Sequence, residues 1–271
     1  MTPDTLIPFF GWLTLINFAI LAFAGTAILL MQDVISRIHH RLLGLTPEDA
    51  RRAYFGWLGT YKLMTLIFCF APWVSLQIAF LAFCGGMVIG LAGAIAKSFG
   101  GPLLSRVTHL YVVFVTNTPQ LVQIYFLYFA LPEAGIVMSS YQAVLLGMTI
   151  NAGAYLTEIQ RAGFMSVRQT EMEAAETLGM TLLQRVRYVI LPHIARVLFP
   201  PLSNHYILMT LGTSMAAIFG VEELTGRAFN VNAETFRSIE VFTVTAGMYV
   251  VVTLIASVLL GMAGQIGRAH V

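Results

Sequence analysis

The sequence predicts an all-α fold, a polytopic bundle of transmembrane helices, and three observations predict it. Of 271 residues, 58% are hydrophobic and only 10% charged, whereas a soluble domain carries about 25% charged residues. Apolar runs of about 20 residues, the length a helix needs to cross hydrocarbon, recur along the chain. The charged residues gather in the gaps between those runs. A chain so composed cannot cover its surface for water, and lipid offers its backbone no hydrogen bonds, so the crossing segments are helices. Cys69 and Cys84 both lie inside apolar runs, which argues against a disulfide framework or a metal cluster. The first residues, "MTPDTLIPFFGW", lack a basic leader region and read as a retained helix.

Taken in order, the apolar segments run at about 7–31, 72–96, 107–132, 140–160, 197–218 and 241–263. A weaker one, 53–71, contains Lys62 and two glycines. Orientation follows from the basic residues near span ends. Lys97, Arg106, Arg161, Arg168, Arg185, Arg187, Arg196 and Arg268 are all cytoplasmic if 107–132 runs outward. The loop 219–240, with Glu222, Glu223, Glu234 and Glu240 against Arg227 and Arg237, then faces out. Arg37, Arg41, Arg51 and Arg52 place the loop 32–52 inside, which requires an extra crossing at 53–71 and gives seven spans with the N-terminus outside. A segment 53–71 lying along the interface would leave six.

Between the fifth and sixth of these seven segments lies "TEMEAAETLGMTLLQRVRYVILPH", residues 170–193. Gly179 divides it, as a residue suited to the left-handed position after a helix would. Thr170 with Glu173, and Thr181 with Gln184, have the spacing of capping boxes, and Pro192 is expected to end the second helix. The prediction is a compact helix–turn–helix outside the bilayer. Ala174 and Ala175 give it a surface of little bulk, which another protein can approach closely. A merely well-capped loop would carry the same signals.

Polar groups at membrane depth are costly, and mark interiors or passages. Asn117, Thr118 and Pro119 interrupt the 107–132 segment, and Gln120 and Gln123 follow. Asn151, Tyr155 and Glu158 share one helix face by their spacing of four and three. Thr213 and Ser214 lie near the outer end of the next span. Each has a structural alternative: Glu158 can pair with Arg161 three residues on, Asn151 can join helices by an amide hydrogen bond, and the 117–123 kink can be architectural. Gly85, Gly86, Gly90 and Gly93 read as close-packing positions between helices.

Glu173-Ala174-Ala175, Gly179, Val189 and Leu191-Pro192 together resemble the EAA loop of the membrane-spanning subunits of bacterial ABC importers. "TNTPQLVQIYFLYFALP" (116–132), "NAGAYLTEIQRAG" (151–163) and "ELTGRAFNVNAETFRSIEVF" (223–242) are similar to permeases of the polar amino-acid branch. The likeness covers about residues 70–265. It implies a five-helix type I permease core at 72–271, with the EAA loop at about 163–193, after an extension at 1–71 of one or two extra membrane helices. It further implies a subunit of the bacterial inner membrane that moves a polar or charged amino acid by alternating access. Two separate ATP-binding subunits would hold ATP and Mg, leaving this chain without catalysis or cofactor. Glu173, Ala174, Ala175, Gly179, Leu191 and Pro192 would couple to them. A second permease and a periplasmic or lipid-anchored binding protein would complete the assembly; no nucleic acid is involved.

The chain departs from the family at "TLGTSMA" (210–216), where many relatives read L-K-D-T-S-L, so Leu211 and Gly212 stand at the Lys and Asp positions. Two rival classes fit less well. A secondary transporter would show internal repeats, and the halves show no convincing self-similarity. An intramembrane enzyme would need more than His109 and Glu158, and no phosphate-binding G-x-x-x-x-G-K-[ST] stretch occurs.

Overall fold

A computed structural model describes residues 3–43, 46–65 and 69–269. Those residues are almost entirely helical. In chain order the helices are α1 (Pro3–Leu43), α2 (Pro47–Thr65), α3 (Ala71–Phe99), α4 (Pro102–Thr116), α5 (Gln120–Tyr125), α6 (Ser140–Met165), α7 (Gln169–Thr177), α8 (Leu182–Arg185), α9 (Leu191–Gly212), α10 (Leu224–Thr235) and α11 (Ser238–Ala269).

The centre of the bundle is the α3–α6 pair, and glycine explains how close it is. A Cβ added to Gly86 would lie 2.7 Å from Ala152 Cβ, and one added to Gly90 would lie 2.7 Å from Leu156 Cβ. On α6, Gly153 returns the approach against Ile89. Helices in lipid gain little from excluding water between them, so small residues that let backbones touch drive this association. Around the seam Ile78, Ala82, Val144, Met148 and Leu156 form a core completed by Ile124, Met209 and Phe219. Large apolar side chains such as Val88, Phe114, Val250 and Leu254 point outward, the inversion expected when the solvent is lipid.

Among the described residues, two helices, α3 and the Ser238–Met262 part of α11, are long and apolar enough to cross a membrane alone. The expected span at 107–132 is instead broken: α4 and the helical stretch Gln120–Ala134 meet at 101°. The expected span at 197–218 lies in a helix that runs from Leu182 to Phe219 and meets α10 at 45°. α6 has the length, but carries Asn151, Thr157 and Gln160 on buried faces. It is wrapped by protein, and its polarity is the mark of a central helix.

The N-terminal part leans on the start of α3. Gly11 of α1 faces the Trp73 ring, and Asn17 accepts a hydrogen bond from Tyr61 of α2 and donates one to Cys69 Sγ at 3.9 Å. α1 therefore runs antiparallel to α2 and the beginning of α3.

Candidate functional site

Two features of the bundle stand out chemically: the helical turn at 169–190 and a polar cavity behind the α4–α5 elbow.

In the turn, α7 ends as the sequence predicts. Gly179 has φ 71°, its N–H donates to Glu176 O at 2.9 Å, and the Met180 N–H donates to Ala175 O at 3.1 Å. This paired closure needs a left-handed residue just past the helix. Thr181 and Gln184 form the expected reciprocal capping box. Glu176 and Arg185 form an ion pair across the turn, and His193 Nδ1 lies 3.4 Å from Glu171. The turn is thus fixed as one rigid piece.

Three expectations for this stretch fail. Thr170 does not cap α7: the helix starts at Gln169, with Arg168 at the cap and no side-chain cap bond, so Thr170 is already helical. Pro192 does not end the second helix. The chain stays helical from Leu182 to Phe219 through a wide segment at Val186–Ile190, where the Leu191 N–H donates to Val186 O five residues back, and this widened register accommodates the proline's missing N–H. Ala175 is buried and only Ala174 is exposed. The exposed surface is made by Glu173, Ala174 and Gly179 with Leu178, Leu182 and Leu183, at 76%, 66% and 77% exposure. Leu191 is also exposed. The three leucines were missed because their apolar character blended into a chain that is apolar nearly throughout.

The cavity has a volume of about 560 Å³, within the usual range for small-ligand sites. Asn117, Thr118, Pro119 and Gln120 come to it from the elbow, Asn151 and Tyr155 from α6, and His205 from α9. The elbow exists because Pro119 cannot continue α4, and carbonyls freed at membrane depth must find other donors. Gln123 supplies them: its Nε2 donates to Val115 O at 2.9 Å and to Thr118 O at 3.0 Å. Its Oε1 accepts from Asn151 Nδ2 at 3.3 Å, tying the elbow to α6.

Of the residues predicted for this region, Gln123 thus supports the wall instead of lining it. Glu158 lies one helical turn past Tyr155 and is already engaged: Lys97 Nζ and Arg161 Nε donate to its two oxygens, the latter at 3.0 Å. Thr213 is fully buried and donates to Thr210 O at 2.7 Å, and neither it nor Ser214 is among the lining residues. His205 was missed. Its ring packs on Tyr155 at 5.7 Å, and its Nε2 is enclosed with no hydrogen-bond partner among the described residues.

Glu223, expected in a solvated outer loop, is fully buried. It accepts from Gly226 N at 2.8 Å, Tyr249 OH at 2.8 Å and Ser75 Oγ at 3.2 Å. It therefore caps α10 and fastens it to α3 and α11. Among the described residues, no group of three or more His, Cys, Asp or Glu is arranged to hold a metal.

A helix bundle for lipid, broken around a polar cavity and bearing a rigid turn outside its core, is the architecture of a membrane permease. Residues 86–265 match the family described as the binding-protein-dependent transport system inner membrane component, and the chain belongs to that family. Residues 1–80 match a family of unknown function. The chain is 35% identical over 208 residues to the glutamine transport system permease protein GlnP of Escherichia coli K12, covering 76% of this chain and 94% of that one. It is 35% identical to the probable amino-acid ABC transporter permease protein YckA of Bacillus subtilis, covering 68% and 81%. Among solved structures, an amino acid ABC transporter crystallised with histidines superposes with a TM-score of 0.70 at 32% identity, covering 77% of this chain and 97% of that one. The MetNI methionine ABC transporter, at 20% identity and a TM-score of 0.58, shares the fold. The chain is accordingly a multi-pass inner-membrane transport subunit, and the family's part in transport is permeation, not catalysis.

Proposed function

We propose that this chain is the permease subunit of an ATP-driven importer that carries a polar amino acid across the bacterial cytoplasmic membrane by alternating access. The cavity behind the elbow is the substrate passage, with Asn117, Gln120, Asn151, Tyr155 and His205 as its polar wall. The 169–190 turn and the C-terminus face the cytoplasm, and two separate ATP-binding subunits, which hold ATP and Mg, grip the turn. A second permease, identical or different, and a periplasmic or lipid-anchored binding protein complete the importer. Residues 1–71 are an added membrane module on the 72–271 core.

The observation that carries the energy-coupling half of this reading is the locked turn displaying Leu178, Leu182 and Leu183. Exposed leucines on a charged turn outside the apolar core are a surface for protein, and a double lock by Gly179 and Thr181 lets the turn move as a rigid lever. The amino-acid cargo is supported by the likeness to the glutamine and amino-acid permeases.

Reconstitution tests it. Uptake into proteoliposomes should require the copurified ATPase, the binding protein and ATP. Uptake driven by an ion gradient with the permease alone would make the protein a secondary carrier instead.

A further inference from the structure

The α4–α5 elbow also borders a second recess, with a volume of about 370 Å³. Thr118 lines both spaces, but from there they part. The polar cavity takes Met148, Asn151 and Tyr155 of α6, whereas this recess takes Gly147 and Ile150. Its rim is made by Phe114, Val122 and Phe126, all exposed. Only Thr118 and Gln123 bring polar side chains to its wall, and both are spent. Thr118 Oγ1 donates to Phe114 O at 2.7 Å. Gln123 Nε2 donates to Val115 O and Thr118 O, and its Oε1 accepts from Asn151. Water stays in a cavity only where it finds several polar partners, and no side-chain donor is left here. The space is more than twice the about 150 Å³ in which an apolar cavity holds a benzene.

A track leads to this recess. Leu103, Val107, Leu110 and Phe114 are exposed, and their spacing of four, three and four puts them on one face of α4. Ser105 Oγ donates to Lys97 O at 3.4 Å, beside Glu158, and Tyr111 OH donates to Ile150 O at 2.7 Å. α4 therefore runs antiparallel to α6. From Leu103 to Phe114 the helix rises about 17 Å, close to the about 15 Å of hydrocarbon in one leaflet. Arg106, also exposed, lies at the start of the track.

We propose that the recess is a lipid site: it holds the end of one phospholipid acyl chain, which lies along the α4 track with its phosphate beside Arg106. Helices in lipid gain little from excluding water, so what the chain end gains is dispersion contact with walls on several sides. A helix of a partner protein is about 10 Å across, too wide for a space of this size. So seated, the chain backs Thr118 and Gln123, the side chains that close the elbow. The inference rests on the proposed orientation only in assigning the lipid to the inner leaflet. The opposite orientation would change the leaflet and leave the site.

The test uses the full-length permease with its copurified partners in nanodiscs containing phosphatidylglycerol with a diazirine at the end of one acyl chain. Labelled residues are mapped by mass spectrometry. Phe114, Val122, Phe126 and Ile150 should take about tenfold more label than Val250 and Leu254, which face lipid on α11. The same lipid with its diazirine beside the glycerol should label Leu103 and Arg106 instead. Val122→Trp, whose ring would cover the recess, should lower labelling of Phe114 and Ile150 by about tenfold and leave α11 unchanged. Equal labelling of the recess and α11 in the wild type would show ordinary lipid contact and overturn the site. Equal labelling of the recess by both probes would overturn the pose. Capture of another protein by a photoreactive amino acid in place of Val122 would give the recess to that protein and overturn the proposal as well.

Discussion

At the scale of single residues, this bundle is set by where a methyl group or a charge can be placed. Gly90 is the sharpest case. A Cβ there would come within 2.9 Å of the Leu156 backbone carbon, and a backbone cannot rotate aside as a side chain can. Gly90→Ala should therefore push α3 and α6 apart and cost about 1–3 kcal/mol. Thermal unfolding of the purified protein checks this, and an unchanged midpoint would mean that the seam is looser than described. Glu223 is the second case. Glu223→Ala would strand the Gly226 N–H and leave Tyr249 OH with Thr225 alone, a loss of about 1–3 kcal/mol. Glu223→Gln, which keeps a carbonyl acceptor, should cost less, as the same assay would show. The sequence marked Gly90 as a packing position because small residues at four-residue spacing identify themselves. Glu223 could not be read in this way. Its partner Ser75 is 148 positions away, and nothing local distinguishes a buried carboxylate from a solvated one.

At the scale of elements, the 169–190 turn shows which signals are local and which are not. Gly179 and the Thr181–Gln184 box were legible because each is closed by residues within three or four positions. The start of α7 was not. Thr170 and Glu173 have the right spacing, yet Arg168 O already accepts from the Glu171 and Met172 N–H groups, so the helix begins before the threonine. Pro192 reads as a stop because a proline cannot donate to the preceding turn, yet the helix runs on through it. The wide segment at 186–190 lets it do so, by bonding five residues back where the proline breaks the usual register. The elbow behaved similarly: Pro119 announced a break, but its 101° angle depends on Gln123 reaching back to two carbonyls. Gly179→Val would force a β-branched residue into φ 71°, costing about 1–2 kcal/mol and loosening the lever. The permease should still insert, while ATP hydrolysis proceeds with little uptake. A ratio of substrate moved to ATP hydrolysed that matches the wild type would remove Gly179 from the coupling path.

At the scale of the whole molecule, composition alone determined the membrane environment and the helical class, because lipid leaves a polypeptide few alternatives. The division of the chain is also visible there. GlnP is covered over 94% of its own length by 76% of this chain, which supports the proposed reading of the first 71 residues as an addition to a core. The addition touches α3 where Gly11 meets the Trp73 ring. Deleting the first 68 residues should leave a core that inserts and, with its partners, retains ATP-dependent uptake. Complete loss of uptake from a stably inserted core would make the module part of the machine. The cavity was only partly legible at this scale. Its α5 and α6 residues announced themselves as amides in apolar runs, but His205 joins them only through the packing of α9 against α6.

The most direct test of the account is where force enters. In a variant lacking Cys69 and Cys84, a single cysteine at Ala174 should crosslink to the ATP-hydrolysing subunit copurified with the permease, with an efficiency that changes when ATP binds. Failure to capture that subunit, or labelling of the same cysteine by an impermeant reagent from outside the cell, would contradict it.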